Sequence, residues 1–383
     1  MNYQSTGFAA QRFQVAIDIR TTAPMHIGAI EKGKYDSSTG RLYRNDGVQV
    51  GVGATLTRTQ YVGDALLPVI PASTIAGKLR RAAAGLIYDS FLQRNLQVSP
   101  RLFNTLNTGT ATTGLDGDSK TPELLRAARK EPFISLFGGT IFALESSVVV
   151  STGWPLVQAT VSTLMSDAII ELSSARGLGE LTEVMAIVRK NDLTDGRDTR
   201  VDRLIGIEEL AAYSAAEAGQ RETSRAKKDS GEVGGKTDLR TLNAIEVIRA
   251  GVPIGLRLGV QSFSPAQLGL FLLAVQALLR EGQIGGRKAK GQGFFVAEAS
   301  RLLSVGADSR QSMALSSLFG SAQDGYPFPE HPVIDEAVDA GNDYLMTVVP
   351  GDLDPFAVDV QKPAAQEKPA KKAAAKGREV ATK

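Results

Sequence analysis

"SPAQLGLFLLAVQALLREGQIGGRKAKGQGFFVAEA" occupies residues 264–299. It reads as helix, loop and strand. Ser264 suits an N-cap, Pro265 the first helical position and Gln267 the third. Leu268, Phe271, Leu272, Val275, Leu278 and Leu279 recur at helical spacing and mark one apolar face. Gly282 can end the helix. A strand starts near Phe294. Between them, residues 285–293 hold four glycines and three cations.

Upstream, Phe13, Val15, Ile17 and Ile19 alternate with mostly polar residues, the mark of a half-buried strand. A helix follows in "VIPASTIAGKLRRAAAGLIYDSFL", where Ser73 or Thr74 can cap after Pro71. Ile75, Leu79, Ala82, Ala83, Leu86 and Ile87 form its apolar face. Lys78, Arg80 and Arg81 lie in its first turns, where cations oppose the helix dipole unless an anion sits nearby.

Residues 147–151, 157–163 and 184–189 read as strands, the first two flanking the sole tryptophan, Trp154. Ile245, Val247 and Ile248, then Ile254, Leu256, Leu258 and Val260, read as two strands or one bent at 251–253. Stripped of insertions the order is β–α–β–β–α–β. This is the ferredoxin-like split βαβ arrangement of an α+β chain, a sheet type that often binds RNA.

Large insertions interrupt this arrangement over residues 1–305. Residues 30–68 show no sustained period. Residues 96–132 read as a polar excursion with a short helix near 122–130. Residues 190–240 carry eleven acids and ten bases, with a helix candidate at 207–218. Residues 306–361 read as an irregular extension, and 362–383 as a disordered Lys/Ala/Pro-rich tail.

The net charge of +2 is unevenly placed. The tail holds seven cations and two acids, leaving 36 basic and 39 acidic residues in 1–361, a net of −3. A nucleic-acid site must then be a local cluster and not a global field. The N-terminus lacks a signal-peptide pattern, and no apolar run reaches the roughly 18 residues of a membrane span. A cytoplasmic protein is the reading. With no cysteine and two histidines there is no thiolate or histidine-rich metal site, and neither a metal nor a cofactor is expected.

"SGEVGGKT" (residues 230–237) nearly matches a P-loop, but Ser230 stands in place of the first glycine and a polar run precedes it. The loop at 285–293 lacks GxGxxG spacing. Its composition suits a polynucleotide backbone: Gly285, Gly286, Gly291 and Gly293 leave backbone N–H groups open, and Arg287, Lys288 and Lys290 supply charge. A plain solvated turn is equally compatible with the composition. Phe294 or Phe295 could stack on a base or join the core. His26, ending the first strand, is a hydrogen-bond partner or an acid/base. Asp36 and Asp46 are candidate acids for RNA cleavage, or turn formers.

Three segments taken together, "HIGA" at 26–29, "VIPASTIAGKLRRAA" at 69–83 and the "GGRKAKGQGFF" loop, resemble segments found in this order in the RAMP superfamily of CRISPR proteins. "SLFGG" at 135–139 is similar to a segment of its backbone subunits. Within that superfamily the chain resembles the Cas-seven group, and its length, basic tail and divergent "IPAST" suggest the type IV version.

The resemblance implies a right-hand shape with an RRM-like palm. Residues 30–68 and 96–132 would be finger or helical insertions, and 190–240 the thumb. It implies a non-catalytic subunit that stacks helically with copies of itself along a guide crRNA. Other effector-complex subunits and target nucleic acid paired to the guide are the further partners, and no membrane is involved. His26, Lys78, Arg80, Arg81, Arg287, Lys288, Lys290 and the four loop glycines are the implied RNA-binding residues. The alternative is a type III-like subunit that cleaves guide-paired RNA in a metal-dependent reaction, with Asp36 as the acid.

Overall fold

The computed structural model describes residues 11–36, 38–44, 52–109, 121–139, 144–188, 242–262, 264–305, 313–315 and 317–357, with five more between 207 and 215. The chain is α+β, and its described residues form a larger antiparallel sheet, a smaller mixed sheet and a two-stranded antiparallel ribbon within residues 59–68. The first strand, β1 (Gln11–Thr21), lies at the centre of the larger sheet. Its alternation works as read: Phe13, Val15, Ile17 and Ile19 are all buried.

Five strands follow where no periodicity was legible: β2 (Gly28–Asp36), β3 (Arg41–Tyr43), β4 (Val52–Thr57), β5 (Thr59–Val62) and β6 (Ala65–Pro68). The expectation of an irregular stretch is corrected. β3, β5 and β6 are only three or four residues long, and in β4 only Ala54, Leu56 and Thr57 are buried.

Helix α1 (Ala72–Gln93) buries Ile75, Leu79, Ala83, Ile87 and Phe91, one residue per turn on a single face. Pro71 precedes it, and no side chain caps it, so Ser73 and Thr74 are first-turn residues and not caps. Among the described residues of 96–132 there are two helices. α2 (Pro100–Thr108), capped by Ser99, was not anticipated, whereas α3 (Pro122–Lys130), capped by Thr121, was. Next come α4 (Pro132–Phe137), β7 (Val148–Val150) and β8 (Trp154–Pro155). The strand expected at 157–163 is a single helical turn, Gln158–Val161. Thr160 Oγ1 donates to Pro155 O at 2.6 Å and accepts from Val157 N at 3.1 Å, which closes that turn.

β9 (Thr182–Val188) and β10 (Leu242–Ile248) pair antiparallel. β11 (Pro253–Ser262) lies in the other sheet, so the strands on either side of 251–253 are separate elements. The larger sheet runs β7–β11–β1, then β12 (Phe295–Val305) and β13 (Met313–Leu315), every pair antiparallel, with β8 also on β11. The smaller runs β3–β2–β4–β10–β9, with β4 and β10 parallel.

Helix α5 (Pro265–Glu281) starts and stops as read: Ser264 accepts from Gln267 N, and Gly282 takes the left-handed conformation at φ 57°. It packs beside α1 and is buried almost all round. Its second covered side is explained by α6 (Pro332–Thr347), which corrects the irregular extension expected at 306–361. The two helices cross in near backbone contact. A methyl group on Gly269 would fall 1.8 Å from Ala337 O. The apolar pattern of α6 is thinned by Ala337 and Gly341 at the crossing, which hid it in the sequence. In the arm expected at 190–240, residues 207, 208, 211, 212 and 215 are helical; the other residues of 190–240, and the tail at 362–383, lie outside the described residues.

Candidate nucleic-acid interface

Three segments far apart in sequence meet at the end of β1. The chain leaving β1 is sewn to the glycine-rich loop by backbone bonds: Thr22 N to Phe294 O (2.9 Å), Gly293 N to Pro24 O (2.9 Å) and Gly286 N to His26 O (2.9 Å). The loop is also braced from within. Ile284 N donates to Gly293 O at 2.9 Å, and Gln283 Nε2 donates to Gln292 O at 2.8 Å and Lys288 O at 3.2 Å. Its tip is a 3-10 turn, Lys288–Lys290, flanked by left-handed Arg287 (φ 59°) and Gly291 (φ 72°). A left-handed arginine is uncommon and costs energy, so the fold holds it there.

Two glycines of the loop are required by close approach. At Gly285 (φ 96°) a methyl group would lie 2.6 Å from His26 O, and at Gly293 (φ 83°) 2.0 Å from Ile284 O. Gly286 and Gly291 are exposed.

Between this loop and α1 lies a cleft of about 210 Å³, lined by Ile27, Gly28, Thr74, Lys78, Arg81, Gly285, Gly286 and Lys288. That is below the roughly 300–1,000 Å³ of small-molecule sites, and it suits a phosphate group better than a whole nucleotide. Its wall includes the uncapped N-terminal turn of α1, whose dipole favours an anion. Three cations line it. Arg81 is exposed, and its Nε donates to Gly77 O at 3.0 Å. Lys78 and Lys288 both donate to Glu281, Lys288 at 2.9 Å. Burial pushes the Lys78 ammonium down to about 8, against the pull of Glu281. Burial would raise Glu281, but the two ammonium hydrogen bonds hold it below its ordinary value.

His26 is buried beside the cleft. Its Nδ1 lies 3.1 Å from Glu246 O. A carbonyl only accepts, so Nδ1 carries the proton. The Nε2 edge faces Gly28, where a methyl would lie 3.5 Å away. Glu246, itself 2% exposed, takes Arg44, Thr57 N (2.9 Å) and Thr182 Oγ1 (3.2 Å), tying β4, β9 and β10 together. Sequence reasoning passed over Glu246. The available signal was a lone acid inside the apolar run "AIEVI". Glu281 was passed over too, as an ordinary helix-end residue.

Arg80 is a correction. It points away from the cleft, and its guanidinium donates to Leu106 O (2.8 Å), Phe137 O (3.0 Å), Thr105 O (3.2 Å) and Gly138 O (3.3 Å). Burial pushes its pKa down to about 10, so it stays charged at neutral pH while tying α2 and the end of α4 to α1. Helical spacing explains the difference: Lys78 and Arg81 are three apart and share a face, while Arg80 faces the packed side. Arg287 and Lys290 sit on the loop outside the cleft lining. Phe295 is core and Phe294 is 41% exposed.

Asp36 ends β2 and forms a turn. Its carboxylate accepts from Ser38 Oγ (2.6 Å), Thr39 Oγ1 (2.7 Å) and Ser38 N (2.9 Å), and these bonds hold its pKa down to about 2. Asp46 and the near-P-loop at 230–237 lie outside the described residues. His331 caps α6, its Nδ1 accepting from Val333 N at 3.3 Å. Among the described residues no three His, Cys, Asp or Glu side chains converge on a metal position, and no helix is long and apolar enough to cross a membrane.

The fold and cleft together define an α+β protein whose central strand, first helix and glycine-rich loop converge on a small cationic cleft. A family model for the RAMP superfamily matches residues 18–296, and the chain belongs to that superfamily. Among solved structures it is similar to a chain of a "Type IV-B CRISPR Complex", at 15% sequence identity and a TM-score of 0.42, covering 84% of this chain and 96% of that one. No curated protein matches it in sequence.

Proposed function

We propose that the protein is a guide-RNA-binding backbone subunit of a Class 1, type IV CRISPR effector complex, built to hold RNA and not to cut it. The observation that carries this reading is the cleft, where Lys78, Arg81 and Lys288 line one space with the N-terminus of α1 and the backbone of Gly285 and Gly286. Cations and a helix terminus recognise phosphate without reading bases, as a holder of variable guides requires, while the Gly286 and Gly293 N–H groups are spent on His26 O and Pro24 O.

The sheet order β12–β1–β11–β7, with α1 and α5 packed in one core, fits a ferredoxin-like palm. The β2–β3–β4 strands fit the fingers. Residues 189–241 leave and re-enter between paired strands β9 and β10, Val188 opposite Leu242, as a thumb would. Copies of the chain would stack along the guide, beside other subunits and target nucleic acid. Asp36 spends its oxygens on its own turn, which supports binding over cleavage.

The test is purification of the full chain with its guide locus, recording the nucleic-acid-to-protein absorbance ratio and the particle size before and after nuclease. The expected result is an RNA-loaded, high-mass assembly with protected fragments of regular length. Lys78→Gln with Arg81→Gln should reduce the salt slope of RNA binding by up to two contacts, roughly 0.7 each on a single strand. A nucleic-acid-free monomer would overturn the proposal.

A further inference from the structure

Glu281 is an anomaly beside a cleft read as an anion site: it lies outside the lining yet pairs with two of the lining cations. It is the last residue of α5, at the negative end of a helix dipole, where a carboxylate is disfavoured. It nonetheless reaches both Lys78 and Lys288, and both ammonium groups converge on the same oxygen, Oε1. Among the described residues no carboxylate pairs with Arg81, the third cation of the lining.

The exposure of the three partners differs. The Lys78 side chain is 11% exposed, whereas Glu281 is 43% exposed and Lys288 38%. Lys78 has nowhere to go and needs an anion beside it, since a buried unpaired ammonium is costly. Burial already lowers its pKa. Glu281 borders solvent and can swing out without disturbing the core. A carboxylate oxygen and a phosphate oxygen make the same charge-assisted bond to an ammonium.

We infer that Glu281 is an internal placeholder for phosphate. In the empty protein it occupies the Lys78–Lys288 pair and keeps the cleft folded, and a phosphate of the bound strand displaces it. This rests on the cleft being the phosphate site. The consequence is selectivity. A lone small anion must out-compete a tethered carboxylate, while a polyanion engaging Arg81 and the loop at the same time is favoured. Glu281 thereby tunes binding of strands against free phosphate and mononucleotides.

The test is binding of a fluorescent oligouridylate to the full-length, nuclease-treated protein at pH 7, comparing wild type with Glu281→Gln and with Lys78→Gln/Lys288→Gln. Removing the competing charge from two partly exposed ion pairs should tighten binding roughly tenfold. Glu281→Gln should also melt at a lower temperature when empty, with the deficit removed by saturating oligouridylate. Glu281→Asp, too short to bridge both lysines, should fall between and serves if the glutamine variant does not fold. Unchanged or weaker binding by both Glu281 variants, with the lysine variant defective, would overturn the placeholder and leave the phosphate cleft standing. A lysine variant that binds like wild type would overturn the cleft, and the placeholder with it.

Discussion

Replacing Gly285 with alanine tests the construction of the cleft. The residue sits at φ 96°, and the added methyl would lie 2.6 Å from the carbonyl oxygen of His26 and 3.0 Å from Ile27 Cδ1. Relieving a carbon–oxygen contact to about 3.3 Å requires the loop to lift by roughly 0.7 Å. The left-handed backbone costs a non-glycine residue about 1–2 kcal/mol. Weakening the 2.9 Å bond from Gly286 N to His26 O costs about 1 kcal/mol more. A stiffer unfolded chain returns about 0.4–1 kcal/mol. The net is a destabilisation of about 2 kcal/mol.

Gly286→Ala is the control. Its φ lies outside the left-handed range, and its methyl would meet only ordinary contacts, the nearest His26 Cδ2 at 3.5 Å. It should be neutral, within about 0.5 kcal/mol. Equilibrium chemical unfolding measures both. Oligouridylate binding should weaken for Gly285→Ala, because Lys288 rides on the same loop. Equal effects at the two positions, or a larger effect at Gly286, would refute the packing of this loop on the His26 segment.

Arg80→Ala should cost about 3 kcal/mol, since it takes the guanidinium donor from four carbonyl groups, three of them in buried contacts. The RNA affinity of the fraction that stays folded should be unchanged, read by titration at matched folded concentration. Glu131 gives a pH prediction. Burial raises its carboxyl from the ordinary 4.5 to about 7, while Tyr344 and Ile134 N donate to it. A raised acid favours the folded state when protonated, so its contribution is complete below about pH 4.5 and is lost as pH rises through 7. The loss is at most about 3 kcal/mol, and Glu131→Gln should flatten the stability–pH curve over that window.

The sequence alone determined the elements whose periodicity is strong. β1, α1 and α5 were legible because each buries a regular face, and the start of α5 because Ser264, Pro265 and Gly282 act locally. The His26 segment, the Lys78–Arg81 turn and the glycine-rich loop were legible as a set only through their order and their resemblance to one superfamily. Which cations face the cleft was not, because facing depends on what packs behind α1. Arg80 lost its place to the carbonyl groups ending α2 and α4, which no local pattern announces. The strands between residues 28 and 68 and α6 were hidden for a related reason: short or glycine-thinned elements become stable only against a partner, as Gly269 and Gly341 do at the α5–α6 crossing. Tertiary structure also decided the role of Glu281, by bringing the end of one helix to lysines on another and on the loop. Ion-pair geometry of that kind is set by the packing of whole elements and leaves no trace in the spacing of residues along the chain.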